Sequence, residues 1–449
     1  ASLRALTSQI NPAEVLGIGL SGQSWSAVPV DKTGEVLANT PIWMDTSAAP
    51  LCRELADAID PARLLAICGN PLQPAYSTPK IAQFARTQPG LYRDTAWFLQ
   101  SNSFIGLRLT RVVSQDQCQS FGLHVFDTMT GEYDQGVADA LGIDLAKLPQ
   151  PVACHEVIGQ VTPDAAAATG LAVRTPVVAG GLDAACATLG VGVWRPGEAQ
   201  EQGGQAGGMS LVTDRPVADA RLILSRHVVP GTWLLQGGTV AGGASLQWAC
   251  EQIGCPDLDF AQISTLAATV APGSGGVWYL PYLAGERSPL WDPAACGVFF
   301  GLRLTTTRAA LFRAVMEGVA YSLLDNLTVA AAAGAPCREL TTSGGAAQSA
   351  VWTGIKADIT GCRIHVPATD QASTFGAALL AGVGVGAYPA FAEAVRVIPP
   401  AVRTHVPASR AVYTAGFGVY RELYHQLKPL MAATAAAAAT ATDTKGSSC

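Results

Sequence analysis

The chain predicts an α/β protein of two domains, and three observations carry that expectation. Strand-like runs alternate with helical ones as far as residue 193, the pattern of layered α/β packing. A length of 449 residues suits two domains of roughly 200 residues each. A hydrophobic share of 49%, with only 14% charged residues, supplies the large core that such layers need.

The elements follow in order. Residues 14–27 read EVLGIGLSGQSWSA, and Gly17, Gly19 and Gly22 spell G-x-G-x-x-G. A dinucleotide-binding turn needs a helix opening at the last glycine and an acidic residue about twenty positions on. Here Ser24, Trp25, Ser26, Ala27, Val28 and Val30 read as extended chain, residues 31–34 as a turn, and Glu35-Val36-Leu37 as a second strand, while Asp31 comes too early to hold a ribose. The nicotinamide reading is therefore set aside. Helices are expected over 50–66, 79–87 and 135–142, with extended chain over 95–99 and a strand over 176–179.

Composition shifts little near residue 194, where a soft boundary divides a first domain, 1–193, from a second, 194–430. A glycine-rich hairpin, Gly203 to Gly208, runs into a strand ending at Thr213. Residues 307–329 form the clearest helix, with Leu311, Val315, Val319, Leu323 and Leu327 in one stripe. A strand over 340–342, the turn Ser343-Gly344-Gly345, a helix carrying Trp352, Ile355 and Ile359, a strand over 363–366 and a helix over 374–382 complete the domain. Strand, double glycine, helix is a plausible cradle for phosphate, because bare amides and a helix N-terminus both favour anions. The Ala/Thr-rich tail, 431–449, reads as a frayed or disordered end.

Bulk properties exclude several classes. A net charge of −6 without a basic run argues against nucleic-acid binding. Eleven cysteines without a C-x-x-C pair, the nearest two being Cys250 and Cys255, argue against structural zinc and read as reduced cytoplasmic thiols. No cationic-then-apolar leader and no apolar run near the roughly 20 residues of a membrane span occur. The P-loop pattern, the G-x-S-x-G elbow and paired histidines are likewise missing from the sequence.

Two places could carry chemistry. In TPVVAGGLDAACATLG, Asp183 stands where a helix opens after a buried strand. It reads either as a helix cap or as a carboxylate poised to act as a general base. In LPYLAGERSP, Glu286 and Arg287 read equally as a surface ion pair or a substrate clamp.

Taken in order, YSTPK at 76–80, AGGLDAACATLGVG at 179–192, PYLAGERSP at 281–289, GVFFGL at 297–302 with RAVMEGVAYSL at 313–323, SGGAAQSAVWTGIKADITG at 343–361 and FGAALLA at 375–381 resemble the FGGY family of carbohydrate kinases, its xylulokinase-like branch. The resemblance implies a two-domain actin/hexokinase-like (ribonuclease H-like) fold whose cleft takes a sugar and MgATP. It implies Asp183 as the base that deprotonates the sugar hydroxyl, with Mg²⁺ held there through a water. Gln23, Ser24, Trp25 and Glu286 would contact a ketose such as D-xylulose. Gly204, Gln205, Ala206 and Gly207 match a phosphate hairpin, and Gly344, Gly345, Ala346 and Gln348 an adenosine-binding turn. The resemblance also allows a homodimer.

Departures from the family pattern bear on substrate and activity. Ser24-Trp25 stands where Met-His is usual, Ala184 where Asn is common, Gln205-Ala206 in place of Thr-Ser, and Ser47 in place of Arg. The family's opening hairpin, with its Asp-x-Gly-Thr phosphate motif, has no counterpart before Ala1, so the first sheet is expected to lack it. These changes keep a second reading open, a non-catalytic sugar or nucleotide sensor on the kinase fold.

Overall fold

The computed structural model describes residues 2–253, 258–408 and 410–446, with side chains to 437. Cys255 and Cys449 therefore lie outside the described residues. The chain forms two compact units, but they are interleaved in sequence. One takes in the chain up to Pro196, Val212–Leu235 and Gln371–Pro399; the other takes in Gly197–Leu211, Gln236–Asp370 and the chain from Pro400.

In the first unit, strands before residue 196 pair in twos. Val28–Val30 lies antiparallel to Trp97–Leu99, and Val157–Gln160 antiparallel to Pro176–Val178. The expected strand over 35–37 is reduced to an isolated bridge between Val30 and Val36. The expected helix over 50–66 is two helices, Ala49–Ala56 and Pro61–Cys68, because Asp60 caps the Ala62 amide and Pro61 can only begin a helix. The helices Ser77–Thr87 and Gln135–Leu141 stand where the apolar pattern puts them.

Two of this unit's core clusters bear on the site. One gathers Ile59, Leu64, Ile81, Phe98, Val125 and Leu141. The other packs Trp25, Tyr76, Phe121, Leu182 and Leu189 with Ala377 and Leu380. That second core explains why the late helix Ala372–Gly384 belongs here. Gly190 and Gly376 let it press backbone to backbone on the helix Asp183–Gly190, since a Cβ at Gly376 would lie 1.8 Å from the Cys186 carbonyl oxygen.

In the second unit Glu198–Gly203 pairs antiparallel with Gly207–Thr213 through Leu211 and parallel with Glu339–Ser343. Glu339–Ser343 in turn pairs parallel with Arg363–Val366, and Arg403–His405 closes that edge antiparallel. The helix Arg308–Ala332, capped by Thr307, is buried on most sides rather than along one stripe; even Arg313 and Glu317 are enclosed, bonded at 2.7 Å. As far as residue 446 the tail is helical: Ala411–Gly446 is one helix, as alanine's high helix propensity allows. Among the described residues no helix is long and apolar enough to cross a membrane.

Candidate functional site

In the first unit Ser21–Gly22 runs parallel to Gly181–Leu182, with Gly22 opposite Leu182. The two strands end at the same level, so Gln23 and Asp183 leave them side by side. Carboxyl ends of adjacent parallel strands are where open α/β sheets take ligands. No helix opens at Gly22, in keeping with setting the nicotinamide reading aside.

The loop after Gly22 is held from several directions. Ser101 Oγ donates to the Gln23 carbonyl at 2.8 Å. Trp25 is not extended, as its alternating neighbours suggest, but has φ of 62°. Such a backbone costs a bulky residue about 1–3 kcal/mol and needs outside support. The support is packing and one cation. The indole is 7% exposed, stacked on Tyr76 at 4.2 Å with Phe121 at its edge, and Lys80 Nζ donates to the Trp25 carbonyl at 2.9 Å. Lys80 also donates to the carbonyls of Ile42 at 2.6 Å and Ala75 at 2.5 Å. Burial pushes its pKa down to about 8, with Asp45 pulling it up. With Trp25 turned into the core, Gln23 and Ser24 are the half-buried residues of the loop.

Asp183 opens the helix Asp183–Gly190, behind Leu182 in the capping position. Its Oδ1 accepts from the adjacent Ala184 amide at 2.7 Å, not from an amide two or three residues on, so it is not a conventional cap. Ser373 Oγ donates to the Asp183 carbonyl at 2.6 Å, fixing the backbone from the late helix. The carboxyl reaches solvent, yet surrounding protein displaces enough water to push its pKa above the usual aspartate value, while the Ala184 bond pulls it down.

In the second unit the hairpin turns at Gly204, Gln205 and Ala206, between Gly203 and its partner Gly207. The helix Gly243–Gln252 fastens it: Gly243 N donates to the Gly204 carbonyl at 2.9 Å and Ala244 N to that of Gln205 at 3.0 Å. Gly344, at φ 85° and ψ −172°, lies against the hairpin base, where a Cβ would sit 2.8 Å from the Gly203 carbonyl oxygen. Beside this junction opens a cavity of about 530 Å³. Gly204, Gln205, Gly345, Ala346 and Gln348 line it as the sequence suggests, whereas Ala206, Gly207 and Gly344 shape its frame. Phe260, Ser264, Leu246 and Trp352 complete the wall. The volume and mostly apolar lining are those of a nucleoside-sized site.

Glu286 is neither a surface pair nor an open clamp. It is 4% exposed, and its carboxylate accepts from Thr239 Oγ1 at 2.5 Å, Val240 N at 2.9 Å and Arg287 N at 2.8 Å. Burial pushes its pKa up to about 7 against those bonds, led by Thr239. It thus belongs to the second unit as a fastener of the chain at 239–240, with its oxygens already engaged.

A glycine-turned hairpin beside a nucleoside-sized cavity, and an exposed carboxylate at a parallel strand end in a separate α/β unit, are parts that a small-molecule kinase of the two-domain actin/hexokinase class needs. The family model for the N-terminal domain of the FGGY family of carbohydrate kinases matches residues 1–190, and that for its C-terminal domain matches 207–385. The chain is 31% identical over 431 residues to a xylulose kinase of Staphylococcus epidermidis, covering 95% of this chain and 86% of that one. It is 28% identical over 440 residues to the L-xylulose/3-keto-L-gulonate kinase of Escherichia coli, covering 96% and 86%. The crystal structure of a xylulose kinase from Rhodospirillum rubrum superposes with a TM-score of 0.89 at 28% identity, covering 96% and 88%. The protein belongs to the FGGY family of carbohydrate kinases and catalyses ATP-dependent phosphorylation of a sugar.

Sequence reading missed three features of the site. Lys80 lies within YSTPK, but nothing local reveals that it joins three separate loops. Phe260 follows the Asp259 cap of its helix and gives no sign of a ligand. The buried set around Asp116, described below, is scattered between residues 102 and 119.

Proposed function

We propose that this kinase phosphorylates a pentulose, D-xylulose first among them, with Asp183 as general base. The observation that supports it most is the register of Gly22 against Leu182, which makes the Gln23–Ser24 loop and the Asp183 carboxylate neighbours. The two relatives named for xylulose kinases and the one named for an L-xylulose kinase favour the same substrate class.

In this reading Asp183 takes the proton of a sugar hydroxyl as that oxygen attacks the γ-phosphorus, and ADP leaves with the electron pair of the broken bond. Its raised pKa suits the role, because a base works best when its pKa approaches the working pH. Asp183 would also hold Mg²⁺ through a water. One carboxylate together with nucleotide phosphates and waters is a donor set that this ion accepts, and the Ala184 bond engages only Oδ1. When bound, Mg²⁺ neutralises charge on the β- and γ-phosphates. Adenosine occupies the cavity walled by Phe260, Ala346 and Trp352, and the phosphates follow the Gly204–Gly207 hairpin. We place the enzyme in the cytoplasm, where ATP is supplied and where eleven cysteines without a C-x-x-C pair would persist as thiols.

The test is ADP release with ATP and Mg²⁺ over a panel of pentuloses, hexuloses and polyols. D-Xylulose or another pentulose should turn over fastest. Turnover of a hexulose or a polyol with every pentulose inert would overturn the assignment.

A further inference from the structure

Beneath the two strand ends lies a carboxylate that the proposed reaction does not use. Asp116 closes the short strand Gln115–Asp116 in the first unit and is 1% exposed. Its Oδ2 accepts from Asn102 Nδ2 at 2.7 Å and Gln115 Nε2 at 3.1 Å, and its Oδ1 from Gln119 N at 2.7 Å. Asn102 and Gln119 are equally enclosed and bonded to each other, Gln119 Nε2 to Asn102 Oδ1 at 2.8 Å.

These two amides then reach both strands of the site. Gln119 Nε2 donates to the Gly22 carbonyl at 3.3 Å, and Asn102 Nδ2 contacts the Ala179 carbonyl at 3.4 Å. Gly22 delivers the chain to Gln23. Ala179 delivers it, through Gly180, to the strand Gly181–Leu182, which leads into Asp183.

We propose that Asp116, acting through Asn102 and Gln119, is a positioning residue that sets the separation between the Gln23 loop and the Asp183 carboxylate. The inference rests on the reading of Asp183 as the base. Three donors converge on Asp116, and an ionised carboxylate, which accepts at both oxygens and donates at neither, meets all of them without a proton that needs an acceptor of its own. Burial favours the neutral acid and, against the opposing Asn102 and Gln119 bonds, leaves the pKa raised to about 7. Asparagine in its place would turn an NH₂ either toward the Asn102 and Gln115 amides or toward the Gln119 backbone N–H, so the Asn102 side chain or the backbone at Gln119 would have to shift and loosen its hold on a strand.

The test is steady-state kinetics with D-xylulose and ATP on Asp116→Asn and Gln119→Leu, with Asp183→Asn in parallel and the melting temperature of each. Displacing a reacting group by about 1 Å costs on the order of 100-fold, so kcat/KM for D-xylulose should fall about 30- to 100-fold in Asp116→Asn. In Gln119→Leu, which keeps the carboxylate, it should fall roughly five- to tenfold, and in both variants the KM for ATP should stay within about twofold. A kcat/KM for D-xylulose within about threefold of the parent, or a KM for ATP that rises alongside it, would mean that the set merely supports the fold. If Asp116→Asn does not fold, Gln119→Leu decides on the same criteria. Normal turnover by Asp183→Asn removes the reading beneath the inference; an inactive Asp183→Asn beside a normal Asp116→Asn removes the inference alone.

Discussion

Replacing Lys80 by methionine tests how the Gln23–Trp25 loop is held. The substitution keeps the buried stem and deletes an ammonium that donates to three carbonyls at 2.5–2.9 Å. A carbonyl left without a donor costs about 1–3 kcal/mol; the Trp25 carbonyl is buried, while the other two border solvent and regain some water, so the gross loss is about 5 kcal/mol. Against this stands the removal of a buried charge. Lys80 is 1% exposed, and a fall from 10.5 to about 8 corresponds to about 3 kcal/mol of unfavourable desolvation. The net is a loss of about 2 kcal/mol, or a melting point lower by roughly 4–8 °C for a unit of this size.

The pH dependence identifies the cause. A lysine with a depressed folded pKa binds fewer protons in the fold than in the unfolded chain between pH 8 and 10.5, so its contribution to stability rises with pH across that window and is lost as pH falls back through 8. The parent should therefore close part of its gap to full stability between pH 8 and 10, and Lys80→Met should lack that component. Differential scanning calorimetry at several pH values, together with KM for D-xylulose and for ATP, gives both readouts. The sugar KM should rise and the ATP KM should not. An unchanged sugar KM with an unchanged melting point would refute the view that this cation holds the loop.

Asp183→Ala should lower kcat by about 10²- to 10⁴-fold while sugar binding stays measurable by calorimetry. Glu286→Gln should remove a stability component that the parent has below pH 4.5 and loses as pH rises through about 7, because a carboxyl with a raised folded pKa binds its proton more tightly in the fold; thermal melts across that range check it. Gly344→Ala should destabilise by about 2–3 kcal/mol and raise the KM for ATP, since φ of 85° and the Gly203 carbonyl both exclude a Cβ. Phe260→Ala, at an exposed cavity wall, should raise the KM for ATP several-fold without moving the sugar KM.

Local pattern was enough for much of the fold. The strand-and-glycine approach to Asp183, the hairpin at 203–208 and the turn at 343–345 are short, and each depends on glycines whose spacing is visible. What stayed hidden depends on distant parts of the chain. Trp25 adopts a left-handed backbone because Tyr76 and Lys80 hold it there; its own neighbours, Ser24 to Val30, alternate as a strand would. Lys80 meets carbonyls at Trp25 and Ile42, and no spacing rule links those positions. Glu286 reads from sequence as a surface pair with Arg287 or as a substrate clamp, yet Thr239 and Val240, more than forty residues earlier, bond its carboxylate. The tail misled in the other direction, because low complexity suggested disorder where alanine-rich chain simply continues a helix.

The helix Ala372–Gly384 carries a consequence for how the protein is made. It roofs the helix that begins at Asp183, and Ser373 holds the Asp183 backbone, although most of the second unit is encoded between them. A ribosome must therefore finish most of the polypeptide before the amino-terminal lobe can acquire its last packing layer. Nascent chains stalled before residue 371 should expose Leu182 and Leu189 to chaperones. Fragment complementation would require a 371–399 peptide, supplied in trans, to restore that lobe.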